Sequence, residues 1–94
     1  MTSAEMLAGF IVNTRADSFA GSTLGATRRC FLDLFGAACA GAAAAGPVAV
    51  RRTALELFAS GPASVWFDGR KLAPPAAALA NSATAAALDI DDGH

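Results

Sequence analysis

A chain of 94 residues has room for one small domain and no more. With 54% apolar and 16% charged residues it is not a disordered, charge-rich chain. A net charge of −1 argues against general nucleic-acid binding, which needs a basic surface, and gives no reason to expect an anionic membrane as partner.

Alanine, roughly a quarter of the residues, is the best helix former and the poorest core filler. The expectation is therefore a mainly α fold of about four helices plus one short β-hairpin. Six Phe and one Trp must supply most of the bulk.

The first helix is predicted from Ser3 to about Thr14, capped by Ser3 or Thr2, with Met6, Leu7, Phe10 and Ile11 as one apolar stripe. Arg15 to Gly21 reads as a polar connector. Ser22 or Thr23 should then cap a second helix that buries Leu24, Phe31, Leu34, Phe35 and Ala38 and leaves Arg28, Arg29 and Asp33 wet. Gly41 should end it, because glycine tolerates the left-handed conformation. Pro47 fits the first turn of a third helix with Val48, Leu55 and Phe58 inward, stopped by Gly61 and Pro62. Ser64 to Phe67 gives the only clear strand signal, Asp68-Gly69 a tight turn, and Arg70 to Leu72 the returning strand. That hairpin is too small to stand alone and should lie on the helices through Trp66. Pro74-Pro75 opens a fourth helix, Ala76 to about Leu88.

Cys30 and Cys39 lie nine apart on one predicted helix, too far for a disulfide unless that helix breaks. They read as buried, reduced thiols, which suits a cytoplasmic protein. The run Thr27 to Leu32 is similar to a twin-arginine export signal, with Ala45-Gly46-Pro47 as a cleavage region. Asp33 breaks its apolar core, so the chain is expected to be cytoplasmic, unprocessed and without a transmembrane segment.

The chemistry concentrates at the end, in Asp89, Asp91, Asp92 and His94. On a helix Asp89 and Asp92 would share a face, and carboxylates there oppose the helix dipole, so helix stability does not explain them. Three readings stand: a solvated acidic tail, a hard-metal site for Mg²⁺ or Ca²⁺, and a catalytic carboxylate at the mouth of a cleft. No phosphate loop, nucleophile elbow or placed base for Cys30 competes.

The stretch Leu72 to Ser82, followed by Ala87 to His94, resembles the MmgE/PrpD family, whose members carry a similar "LPAPxAALANG…ALDxDDxH" run. Arg28 to Gly36 is similar to a helix of that family, and Ala63 to Leu72 to its hairpin. The family includes 2-methylcitrate dehydratase, cis-aconitate decarboxylase and iminodisuccinate epimerase.

The resemblance implies that residues 1–94 are the N-terminal part of an all-α domain, with further helices and an α+β domain to follow. It implies chemistry on small di- or tricarboxylic acids, begun by proton abstraction next to a carboxylate, with no required cofactor or metal, in a cleft between two domains. By position Asp89 is the catalytic residue, while Asp91, Asp92 and His94 are supporting or substrate-binding. Ser82 stands where members of the family have Gly, and Ala86 where several have His; the second departure leaves substrate identity open. The implied partners are a small carboxylic-acid substrate in the full-length form and a second copy in a homodimer. The 94 residues alone are expected to be inactive. The alternative is a small non-enzymatic helical dimerisation module or a gene relic.

Overall fold

The computed structural model describes residues 1–90. They form helices α1 (Ser3–Asn13), α2 (Gly21–Gly41), α3 (Ala45–Leu57) and α4 (Pro74–Ala86), with strands β1 (Ser60–Ser64) and β2 (Lys71–Leu72) between the last two helices. The mainly helical fold with one antiparallel hairpin is as expected from the sequence.

Helix α1 begins where Thr2 accepts from the Glu5 N–H and the Glu5 carboxylate accepts from the Thr2 N–H, at 3.1 and 2.7 Å. This reciprocal pair satisfies two donors that the helix start leaves open. The Thr2 backbone N–H holds the Glu5 carboxyl below its ordinary value. A short 3₁₀ turn, Ala16–Ser18, leads to α2. The N-cap of α2 is Ala20, with no side-chain cap, so neither Ser22 nor Thr23 takes that part.

Helix α4 is the centre of the fold, packed against α2, α3 and both strands. Its inner face is Ala76, Ala77, Ala80, Thr84 and Ala85, all buried. Such small side chains let neighbouring backbones come close. At Gly41 a Cβ would drive into the Thr84 carbonyl oxygen and sit 3.1 Å from the Ala87 Cβ. Gly41 does end α2, but for this close approach and not for a left-handed cap; Ala42 after it is still in the right-handed α region.

The buried side of α2 is therefore Ala37, Ala38 and Gly41. Of the five residues expected there, only Ala38 is buried; Leu24 is half-buried and Phe31, Leu34 and Phe35 are exposed to varying degrees. The cause is length. Among the described residues the 21-residue α2 outruns the 13-residue α4, and the buried positions of α2 all lie in its C-terminal part. Cys30 and Cys39 are likewise exposed, against the expectation of buried thiols.

Helices α2 and α3 meet at 95° across the alanine joint. Pro47 lies in the first turn of α3, as expected. Ala54 is the deeply buried residue of α3, with Leu55 packed beside it, while Phe58 remains exposed. The helix stops at Leu57, before Gly61-Pro62. Those two fall instead inside β1, at a bulge where Ser60 and Ala63 both face Leu72. A bulge is one of the few places in a ladder that tolerates a residue without an N–H.

The hairpin is present, but its first strand lies earlier than the aromatic pattern predicts. Ser64 pairs with Lys71, and the Val65 N–H donates to the Arg70 carbonyl at 2.9 Å. Trp66 and Phe67 belong to the connecting loop, with Asp68 and Gly69. Phe67 (φ 66°) and Gly69 (φ 90°) both adopt positive φ, so the connection is wider than a two-residue turn. Val65 and Leu72 supply the only large buried aliphatic side chains among the described residues.

Candidate functional site

The hairpin loop is tied to α4 by Asn81. Its Oδ1 accepts from the Trp66 N–H at 2.9 Å, and its Nδ2 donates to the Ser64 carbonyl at 3.0 Å. Both ends of one amide are thus spent on backbone that leaves the ladder. This explains why Trp66 is drawn off the strand. Its ring then meets Phe35 of α2 at 5.1 Å between centroids, and Phe67 meets the Phe35 ring at 5.5 Å. The expectation that Trp66 carries the hairpin onto the helices holds.

Between α2, the loop and α4 these contacts leave an apolar groove of about 420 Å³. Leu34 and Trp66 form two walls, and Asn81, Ser82, Ala85 and Ala86 the α4 side. Ala86, the last residue of α4, lies on its lip.

Asp89 follows one turn later. Its N–H donates to the Ala86 carbonyl at 3.2 Å, and its φ is 54°. Asp is one of the few non-glycine residues that enters the left-handed region readily, and a residue in that conformation ends a helix. Its side chain is exposed. The helix thus ends at Ala86, earlier than predicted, and Asp89 does not lie on its face. Asp91, Asp92 and His94 lie outside the described residues. Among the described residues no three His, Cys, Asp or Glu side chains come together as metal ligands.

A second set of polar groups lies on the α3 side of the hairpin. Arg70 Nε and Nη2 donate to the two oxygens of Asp68 at 2.6 and 3.0 Å. That side-chain hydrogen bond holds the Asp68 carboxyl below its ordinary value. Arg51 Nη2 donates to the Ala42 carbonyl at 3.0 Å, bracing α3 against the end of α2. Sequence reasoning gave no role to Asn81 or Arg51. A lone amide within an alanine helix was the available signal for Asn81, since Asn is a poor helix former. Nothing marked Arg51, whose partner lies across a helix break.

Among the described residues no single helix is long and apolar enough to cross a membrane. Comparison with curated proteins and with solved structures gives no significant match. The sequence model of the MmgE/PrpD N-terminal domain matches residues 5–94, nearly the whole chain. With the helical fold, the hairpin and the terminal acidic run in that order, the chain belongs to the MmgE/PrpD family.

Proposed function

We propose that this chain is the N-terminal part of a cofactor-independent lyase- or isomerase-type enzyme of the cytoplasm, acting on small di- or tricarboxylic acids in the manner of 2-methylcitrate dehydratase. The carrying observation is the family match through residue 94, with Asp89 exposed one turn beyond the lip of the groove. In this reading Asp89 takes the proton from the carbon next to a substrate carboxylate. Asp91, Asp92 and His94 support it. Water loss, decarboxylation or inversion then follows.

The groove is apolar and none of its lining residues is a cation. A polyanionic substrate needs charge partners and fixed orientation, worth several kcal/mol of the barrier. Those groups belong to the opposing wall of the cleft, which the family's further helices and α+β domain supply. Residues 1–94 alone are therefore inactive in this proposal, and the working assembly is a homodimer.

The test is Asp89→Asn in a full-length relative carrying this N-terminal sequence. Asn tolerates the left-handed backbone and nearly preserves volume, but it cannot accept the proton. Turnover should fall about 10²–10⁴-fold with the fold intact. Asp91→Asn should have the smaller effect. The isolated chain should turn over none of 2-methylcitrate, cis-aconitate or iminodisuccinate. Full activity of the Asp89 variant would return the acidic run to a solvated tail. It would favour the second reading, a helical interaction module, which the exposed apolar stripe of α1 supports.

A further inference from the structure

A recess of about 230 Å³ lies between α3 and the hairpin loop, sharing no residue with the groove beside Asp89. Val48, Arg51 and Leu55 fall on one face of α3, three and four residues apart, and line it together. Arg52, Glu56, Asp68 and Arg70 complete the wall.

The guanidinium groups there are not equivalent. Arg70 is paired through Nε and Nη2 with Asp68, which also accepts from the Arg70 backbone N–H. Asp68 thereby spends both oxygens on Arg70 and reaches Arg51 only through space, with no hydrogen bond to it. Arg51 is fixed in place through Nη2 and the Ala42 carbonyl. Its other terminal nitrogen, Nη1, is buried and has no partner among the described residues. A buried charged donor left unpaired is unfavourable, and any acceptor that reaches it recovers that loss. The side chains of Arg52 and Glu56 likewise make no hydrogen bond or ion pair with a described residue. Three guanidiniums against two carboxylates leave the recess with a positive excess.

We propose that this recess binds a small oxyanion, a carboxylate or a phosphate, through Arg51 Nη1 and Arg52. Planar guanidinium forks match the two oxygens of such groups. Val48 and Leu55 offer apolar walls to the stem of an organic acid. The site lies apart from Asp89, so it serves to hold an anion and takes no part in proton transfer there.

The experiment is an NMR titration of the isotope-labelled chain with succinate and, separately, with inorganic phosphate, at constant ionic strength balanced by chloride. Saturable shifts are expected at the Arg51 Nε–H and at the amides of Arg52, Gly69 and Arg70, with α1 unmoved. Tighter succinate would identify an organic acid as the ligand, and tighter phosphate a phosphate group. Arg52→Gln removes a donor that holds nothing else in the fold, so it should weaken binding about tenfold with an unchanged spectrum elsewhere. Arg51→Lys keeps the charge but loses the fork, and should weaken binding similarly. Shifts that stay linear and are reproduced by chloride would overturn the proposal. So would equal affinity in the Arg52 variant, which decides the matter even if loss of the Ala42 bond disturbs the Arg51 variant.

Discussion

Asn81 is an expensive residue in its helix and is retained by what its amide does. Replacing it with Ala gains up to about 0.7 kcal/mol of helix propensity. The same change strips the half-buried Trp66 N–H and the exposed Ser64 carbonyl of their partner. Leaving the Trp66 N–H unpaired costs about 1–3 kcal/mol where water cannot replace the amide, while water can serve the exposed Ser64 carbonyl. The loss outweighs the gain, so Asn81→Ala should destabilise the chain by about 1–2 kcal/mol, read as a lower urea midpoint at unchanged slope. An equal or higher midpoint would mean that water serves the loop as well as the amide does. At this scale the sequence was legible where one residue dictates its own geometry, as with Pro74-Pro75 opening α4 or Gly69 in the loop. It was not legible where the partner is remote. Asn81 acts on backbone 15 and 17 residues away, and Arg51 on a carbonyl nine away. The Asp89 position came from resemblance; its left-handed backbone did not, because helical spacing alone carries the run onward as helix.

The helices pack through their smallest residues. The aromatic residues of α2 promised a buried stripe, yet the face that meets α4 is Ala37, Ala38 and Gly41. Hydropathy contrast is weakest for Ala and Gly, so a sequence this rich in both conceals its packing faces. Two glycines of α2 make the point testable. At Gly36 a Cβ would meet nothing within 4 Å, so Gly36→Ala should stabilise the helix by about 0.5–1 kcal/mol. At Gly41 the Cβ meets a backbone carbonyl that cannot swing aside, so Gly41→Ala should destabilise by about 1–3 kcal/mol despite the same propensity gain. Thermal unfolding of the two variants should move in opposite directions. Movement in the same direction would mean that α2 and α4 do not approach as closely as the fold has them. The hairpin shows the converse limit. Its existence followed from the Asp68-Gly69 turn signal, but its register did not, since strand-forming aromatics were claimed by Phe35 and by the Asn81 bridge.

The molecule as a whole is unevenly supported. The buried cluster of Ala54, Val65, Leu72, Ala76, Ala77 and Ala80 joins α3, the hairpin and α4. Helix α1 contributes no buried residue, and Met6, Leu7, Phe10 and Ile11 are all more than half exposed. Eleven residues are too few for an isolated helix to be stable in water, and one capping box adds only about 1 kcal/mol. Amide exchange should therefore be graded along the chain. It should be slowest in the middle of α4 and at the Val65 N–H, intermediate in α3, and close to the unprotected rate in α1. An apolar stripe of this kind also invites a cover. If a second copy supplies it, α1 should gain protection when the chain concentration is raised about a hundredfold, while α4 is unchanged, because association stabilises only what it covers. If α1 stays unprotected at both concentrations, a second copy does not cover this helix. Strong protection at low concentration would contradict the exposure of the stripe itself.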